Sequence, residues 1–381
     1  MRKNYFYAIM AAMLTVSCSQ QDELMTEQQR VADANAIGFS VSMATTGAAD
    51  TRAEGETTID ELKATVDGFG VFAAYTGINR YGDATVTPDF MYNQPVRWDN
   101  ANDVWSYNPV KYWPNGEGLD GENKHYVSFF GYAPYSDMNG TDPATNPAGY
   151  CISGFSQAHA QGDPWLTYRL IPQDYLDKQV DLLYAKQLDM TKPAAGAKVE
   201  FAFEHALACV GDKITIQASD VLKNELKDLA GTANKVDLVI AGVDITYTLA
   251  EKGRLVLWNS EGAANWQPVL SENLTTERVP IMSGTLPKTI YSYEAATAAE
   301  SKPGWFDKGN GVFFIPLSSD VIAQKATVSI RYEIVVNDSF VYNSKEVTRD
   351  MNIGHLAEAG KRVDLKIFIG EGSTDDVVDE N

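Results

Sequence analysis

Apolar and polar positions alternate with a period of two along most of the chain. Ile37, Phe39, Val41 and Met43 alternate with Gly38, Ser40 and Ser42, the pattern of a strand with one buried face. Gly68 to Tyr75 is apolar on both faces and reads as a buried strand. Lys124 to Tyr132 carries Val127, Phe129 and Phe130 into the turn Ala133-Pro134-Tyr135. Val180 to Ala185 is a short strand before the break Thr191-Lys192-Pro193-Ala194-Ala195-Gly196. Beyond it come Val199, Phe201 and Phe203, then Ile214 and Ile216, then Val236, Leu238 and Ile240, then Val243, Ile245 and Tyr247. Val328, Ile330, Tyr332, Ile334 and Val336 run into Asn337-Asp338 and out through Phe340-Val341-Tyr342, a hairpin signal. The last strand puts Val363, Leu365, Ile367 and Ile369 on one face and Asp364, Lys366 and Phe368 on the other. Helical spacing occurs around Asp220 to Leu229, where Val221, Leu222, Leu226 and Leu229 recur.

Many strands separated by turn residues predict an all-β protein built of β-sandwiches. The Pro/Gly/Ala break sets the expected boundary between an N-terminal domain, residues 36–195, and a C-terminal domain, residues 196–370. An acidic tail, residues 371–381, follows. The length of 381 residues supports such a division.

Composition narrows the function classes. Thirty-one Lys+Arg against 51 Asp+Glu give a net charge of −20, which disfavours a phosphate backbone as partner, so no nucleic acid is expected. Four His and three Cys, widely spread, do not suggest a zinc module or a disulfide scaffold. Cys151 and Cys209 are either a pair or two separate buried thiols.

The N-terminus has the form of a secretory signal, residues 1–17: Arg2 and Lys3, an apolar run from Tyr5 to Leu14, then Thr15-Val16-Ser17 before Cys18. The run is too short for a comfortable membrane span. A Cys directly after a small residue resembles a bacterial lipobox, although Leu14 sits four residues before Cys18 and the usual spacing is three. That resemblance implies lipid attachment at Cys18 and a location at the outer membrane. Residues 18–35, rich in Gln and Glu, read as a flexible tether. The acidic residues after Cys18 resemble a surface-export signal of some anaerobic Gram-negative bacteria.

Several chemical motifs fail on inspection. Gly116-Glu117-Gly118-Leu119-Asp120-Gly121 is a literal G-x-G-x-x-G, but Trp113-Pro114 precedes it and its two carboxylates would repel a pyrophosphate. Asp137 to Asp142 clusters oxygen groups without the register of a calcium loop, and a solvated turn is the simpler reading. No G-x-S-x-G elbow and no zinc-hydrolase pair occurs. His205 sits among Phe203, Ala206 and Leu207 and reads as a hydrogen-bonded packing residue. No cofactor, metal or enzymatic activity is expected. Trp105, Tyr107, Tyr112 and Trp113, interrupted by Pro109 and Pro114, either cap a sandwich edge or form an aromatic platform for sugars.

A family resemblance rests on ordered pieces of sequence. They are Phe69-Gly70-Val71-Phe72-Ala73, Trp105-Ser106-Tyr107-Asn108-Pro109 with Lys111-Tyr112-Trp113-Pro114, Val127 to Tyr135, Asp181-Leu182-Leu183-Tyr184-Ala185, and Phe203-Glu204-His205-Ala206-Leu207. Together with the lipobox they resemble the fimbrillin family of surface fimbrial subunits. The resemblance spans roughly residues 31–370. It implies two tandem transthyretin-like Greek-key β-sandwich domains and export as a lipoprotein. It also implies cutting by an arginine-specific protease after the first strand, with polymer growth by strand exchange. Partners would be other fimbrial subunits and a host protein or glycan receptor.

The sequence offers a place for that cut at Arg52-Ala53, in the linker from Gly47 to Thr58. The strand to be lost carries Ile37, Phe39, Val41 and Met43. Its loss would leave an apolar groove and unpaired backbone. The donor is the segment with Val363, Leu365, Ile367 and Ile369, or the tail beyond it. The rival readings are a surface glycan-binding lipoprotein that does not polymerise and, last, a β-sandwich hydrolase.

Overall fold

The computed structural model describes residues 35–44, 57–83, 86–114, 125–158, 160–193, 197–258, 265–268, 274–281, 286–308, 311–316, 325–352 and 359–370. The signal, Cys18, the tether up to residue 34, Arg52-Ala53, the Gly116–Gly121 motif and the acidic tail lie outside them. Strands are numbered β1 to β21 along the chain.

Seven strands close into a barrel in the order β1 (Phe39–Met43), β4 (Val104–Ser106), β3 (Met91–Asp99), β2 (Phe69–Gly77), β5 (Tyr126–Ala133), β8 (Leu183–Met190) and β9 (Val199–His205). Phe69, Val71, Val127, Phe129, Phe201 and Phe203 fill its interior. β2 is apolar on both faces because its outer residues are buried too. Phe72 and Ala74, with Phe130 and Tyr132 of β5, meet a second layer. Gly70 shows how tight that meeting is. A Cβ there would lie 2.2 Å from the Tyr132 ring, so only glycine lets the ring cross the strand.

The second layer is a four-stranded sheet, β6 (Ile152–Phe155), β7 (Trp165–Arg169), β12 (Lys252–Val256) and β13 (Asn265–Pro268). β7 pairs antiparallel with β12, from Arg169 opposite Lys252 to Trp165 opposite Val256. This sheet therefore draws strands from both sides of the break at 191–197. Leu166, Tyr168 and Leu255 join Phe72 and Phe130 in one core.

The remaining strands build the second half. β10 (Ala208–Ala218) pairs with β17 (Trp305–Lys308) and β18 (Val312–Phe314) on one side and with β21 (Arg362–Ile369) on the other. Facing it is a sheet centred on the 16-residue β11 (Lys235–Ala250). β19 (Lys325–Val336) and β20 (Phe340–Asn352) follow on one edge of β11. β14 (Leu274–Pro280), β15 (Lys288–Glu294) and β16 (Ala299–Ser301) lie on the other. The β19–β20 connection has positive φ at both Asn337 and Asp338, which is the left-handed turn the sequence predicts.

Three short α-helices are present among the described residues: α1 (Ile59–Ala64), α2 (Pro147–Cys151) and α3 (Asp220–Ala230). In α3 the Ser219 side chain accepts from the Leu222 N–H, an N-cap, and Leu222, Leu226 and Ala230 at four-residue spacing are buried against β11. Cys151 and Cys209 are separate buried thiols in the same core. Burial pushes the Cys151 thiol up to about 12.

Candidate functional site: the first strand and its groove

β1 is the piece that completes the barrel. It lies parallel to β9, from Phe39 opposite Val199 to Met43 opposite Phe203. On its other side a single antiparallel pair, Phe39 with Trp105, joins it to β4. The chain before β1 adds an isolated bridge, Ala36 with Tyr112. Backbone bonds run from Ile37 N–H to Lys111 O at 2.9 Å and from Trp113 N–H to Asn35 O at 3.0 Å. The β9 side contributes Val199 N–H to Gly38 O and Ala44 N–H to Phe203 O, both 2.8 Å.

Side chains anchor this short ladder as well as backbone. Phe39 is 1% exposed. Its ring stacks on Phe201 at 5.7 Å and meets Phe69, Tyr107 and Phe129 edge-on at 5.5 to 6.1 Å. Ile37 is equally buried, while Val41 and Met43 are half-buried against the same core. The Tyr107 hydroxyl donates to the Ile37 carbonyl at 2.8 Å. Burial around that phenol pushes it up to about 12.

Past the stretch containing Arg52, the chain is fastened again at once. The Thr57 N–H donates to the buried carboxylate of Asp181 at 3.1 Å. His205 Nδ1 lies 2.8 Å from the same carboxylate oxygen. Thr58 and Glu61 then form a reciprocal capping box that starts α1, and Leu62 of α1 enters the barrel core. Asp181 was not legible as an anchor. It lies two residues before β8, where the antiparallel β8–β9 pairing of Leu183 with His205 sets it beside His205, while Thr57 reaches it from 124 positions away. His205 is indeed a packing residue engaged with a polar partner.

Other predicted residues fall elsewhere. Trp105 packs on Phe69 and Trp98, and Trp113 on Phe129. Both indoles are buried in the barrel core, so they present no platform for a sugar. Tyr112 alone of the four is exposed. The Asp137–Asp142 carboxylates are engaged locally: Asp137 accepts from Asn139 N–H and the Asn146 side chain, Asp142 from Ala144 N–H and Thr145. No metal-ligand cluster occurs among the described residues. Val363, Leu365, Ile367 and Ile369 of β21 are all buried in the second half's own core, beside β10.

Comparison with known proteins decides the family. The model of the "Fimbrillin-like" family matches residues 51–378. The chain belongs to the fimbrillin-like family. This fimbrillin-like chain is similar in fold to a fimbrial protein from Bacteroides vulgatus ATCC 8482. The TM-score is 0.60 at 21% identity, over 91% of this chain and 98% of that one. A structure proposed as a cell adhesion protein, from Bacteroides ovatus ATCC 8483, aligns at 13% identity over 91% of this chain and 95% of that one, with a TM-score of 0.40. No curated protein matches the chain. The fimbrillin-like assignment supports a fimbrial subunit role and a cell-surface setting.

Proposed function

We propose that this fimbrillin-like chain is a structural subunit of fimbriae. It is assembled by protease-triggered strand exchange and serves adhesion, without enzymatic activity. The observation that carries the reading is the position of Arg52 between two fastenings. Before it lies β1, which closes the barrel by one parallel ladder and one ring cage. After it lies Thr57, held on Asp181. A cut at Arg52 would free the segment bearing β1 while everything from Thr57 onward stays anchored. The vacated groove would run between β4 and β9, lined by Phe69, Phe129 and Phe201, with the edge of β9 unpaired. An open edge over an apolar floor is a template for an incoming strand.

The precursor is read as lipid-anchored through Cys18 at the outer membrane, with the cut releasing it from that anchor. Its partners are other fimbrial subunits, and a host protein or glycan receptor. β21 is a costly donor. Withdrawing it would expose four fully buried aliphatic side chains, about 6 to 12 kcal/mol at roughly 1.5 to 3 each. The incoming strand is therefore read as coming from the chain beyond Ile369 of another copy, or from a different subunit.

Limited digestion of the purified full chain with an arginine-specific protease tests this. A product beginning at Ala53, together with a ladder of oligomers absent from Arg52→Gln, is expected. A chain that is cut at Ala53 yet keeps its first segment bound and remains monomeric would overturn the reading.

A further inference from the structure

A cleft of about 420 Å³ lies where the shared sheet meets the second half of the molecule. Its walls come from distant segments: Tyr150 and Arg169 beside β7, Lys252 at the start of β12, Glu251, and Tyr247 and Glu277 from β11 and β14. Its volume is in the range of pockets that hold small molecules.

Tyr247 is the informative residue. Its ring packs on Phe314 with centroids 4.4 Å apart, and the residue is only 5% exposed. Its hydroxyl is not one of the fully enclosed unpartnered atoms of the described residues, so it reaches the space of the cleft that the residue lines. A phenol that opens onto a cavity wall can give or accept a hydrogen bond to a molecule held there. The Glu277 carboxylate acts electrostatically on that phenol and lines the same cleft. Arg169 also lines the cleft and is fixed by Tyr150: its guanidinium lies 3.4 Å from the centre of the Tyr150 ring, and its Nε donates to the Tyr150 carbonyl at 2.7 Å. Ile171 and Val279 supply apolar wall between these polar groups.

The charges choose the ligand. Two cations, Arg169 and Lys252, stand against two carboxylates, Glu251 and Glu277, so the cleft is formally neutral. A chain of net charge −20 repels anions at a distance. Donors and acceptors lie side by side, which suits groups that both give and accept hydrogen bonds. Hydroxyls do so, and the C–H faces of a sugar ring suit the apolar wall. We infer that this cleft binds a neutral, hydroxyl-rich ligand, a saccharide of one or two residues, with Tyr247, Glu277 and Arg169 as its polar contacts.

The site is distinct from the β1 groove and is present in the uncut monomer, so its test is independent of strand exchange. Saturation-transfer NMR and calorimetry on the uncut full chain would use glucose, galactose, N-acetylglucosamine and lactose. N-acetylneuraminic acid and the dipeptide Ala-Ala serve as the anionic and zwitterionic comparators. At least one neutral sugar is expected to bind, with affinity about tenfold lower in Tyr247→Phe and in Glu277→Gln at an unchanged unfolding midpoint. Tyr247→Phe keeps the ring that packs on Phe314, so it separates the lost hydroxyl from lost packing. Absence of binding by all four neutral sugars would overturn the proposal. So would tighter binding of either comparator, or affinity unchanged in both variants.

Discussion

Replacing Phe39 by alanine tests whether β1 is separable from the rest of the molecule. The side chain is 1% exposed and touches four aromatic rings. Truncating a buried phenylalanine costs about 3 to 5 kcal/mol in transfer and cavity terms. If β1 opens on its own, that cost falls on the local opening of the β1–β9 ladder. At 1.4 kcal/mol per decade it corresponds to an increase in opening of about a hundredfold to a few thousandfold. Native-state hydrogen exchange reads this directly. The Val199 and Ala44 amides, which close the ladder onto Gly38 and Phe203, should exchange faster by that factor. Amides in the β11–β19 ladder should keep their wild-type rates. Equal acceleration throughout the chain would show that β1 opens only with global unfolding and refute the reasoning. Unchanged exchange at Val199 and Ala44 would refute it as well, since Phe39 would then not be what holds the strand.

Further outcomes follow from packing and ionisation. Gly70→Ala should lower the denaturation midpoint by the equivalent of about 1 to 3 kcal/mol, because the added Cβ meets the Tyr132 ring. Gly154→Ala, where the nearest neighbour would be at 3.5 Å, should be milder in the same titration. Cys151 should resist iodoacetamide at pH 8 in the folded chain. Peptides carrying Cys151 and Cys209 should each alkylate separately after unreduced denaturation, as the two thiols are unbonded. Tyr107 is raised from 10.0 to about 12 in the fold. Its contribution is complete below pH 10 and is lost as the pH rises from 10 towards 12, because the unfolded phenol ionises first. Tyr107→Phe should therefore show a shallower loss of stability over that window in pH-dependent denaturant titrations.

Much of the strand content was legible because burial is written into period two. β1, β21 and the Asn337-Asp338 turn follow from local pattern and turn chemistry alone. α3 was legible from the four-residue recurrence of Leu222 and Leu226. Apolar residues on both faces of β2 gave away that both faces are covered, but not what covers them. The covering sheet pairs β7 with β12, whose residues lie some 85 positions apart. Nothing local in Trp165–Arg169 specifies Lys252–Val256 as its partner. The same limit hid the Asp181 anchor and the cleft around Tyr247, whose residues meet only through tertiary packing. Trp105 and Trp113 illustrate the converse. An aromatic-rich, proline-broken stretch reads equally well as a surface platform or as core, and the barrel's closure decides for core.

The parallel direction of β1 against β9 has a consequence for the order of folding. Parallel neighbours cannot be joined by a tight hairpin, and here the paired residues stand about 160 positions apart. The contact of longest range in the barrel therefore belongs to the segment synthesised first. Pairings of such separation form slowly, after local hairpins such as β19–β20 have already zipped. β1 cannot pair with β9 until β9 has been made, so this topology favours late closure of the ring. A chain halted just before that closure has the same shape as one whose first segment has been cut away.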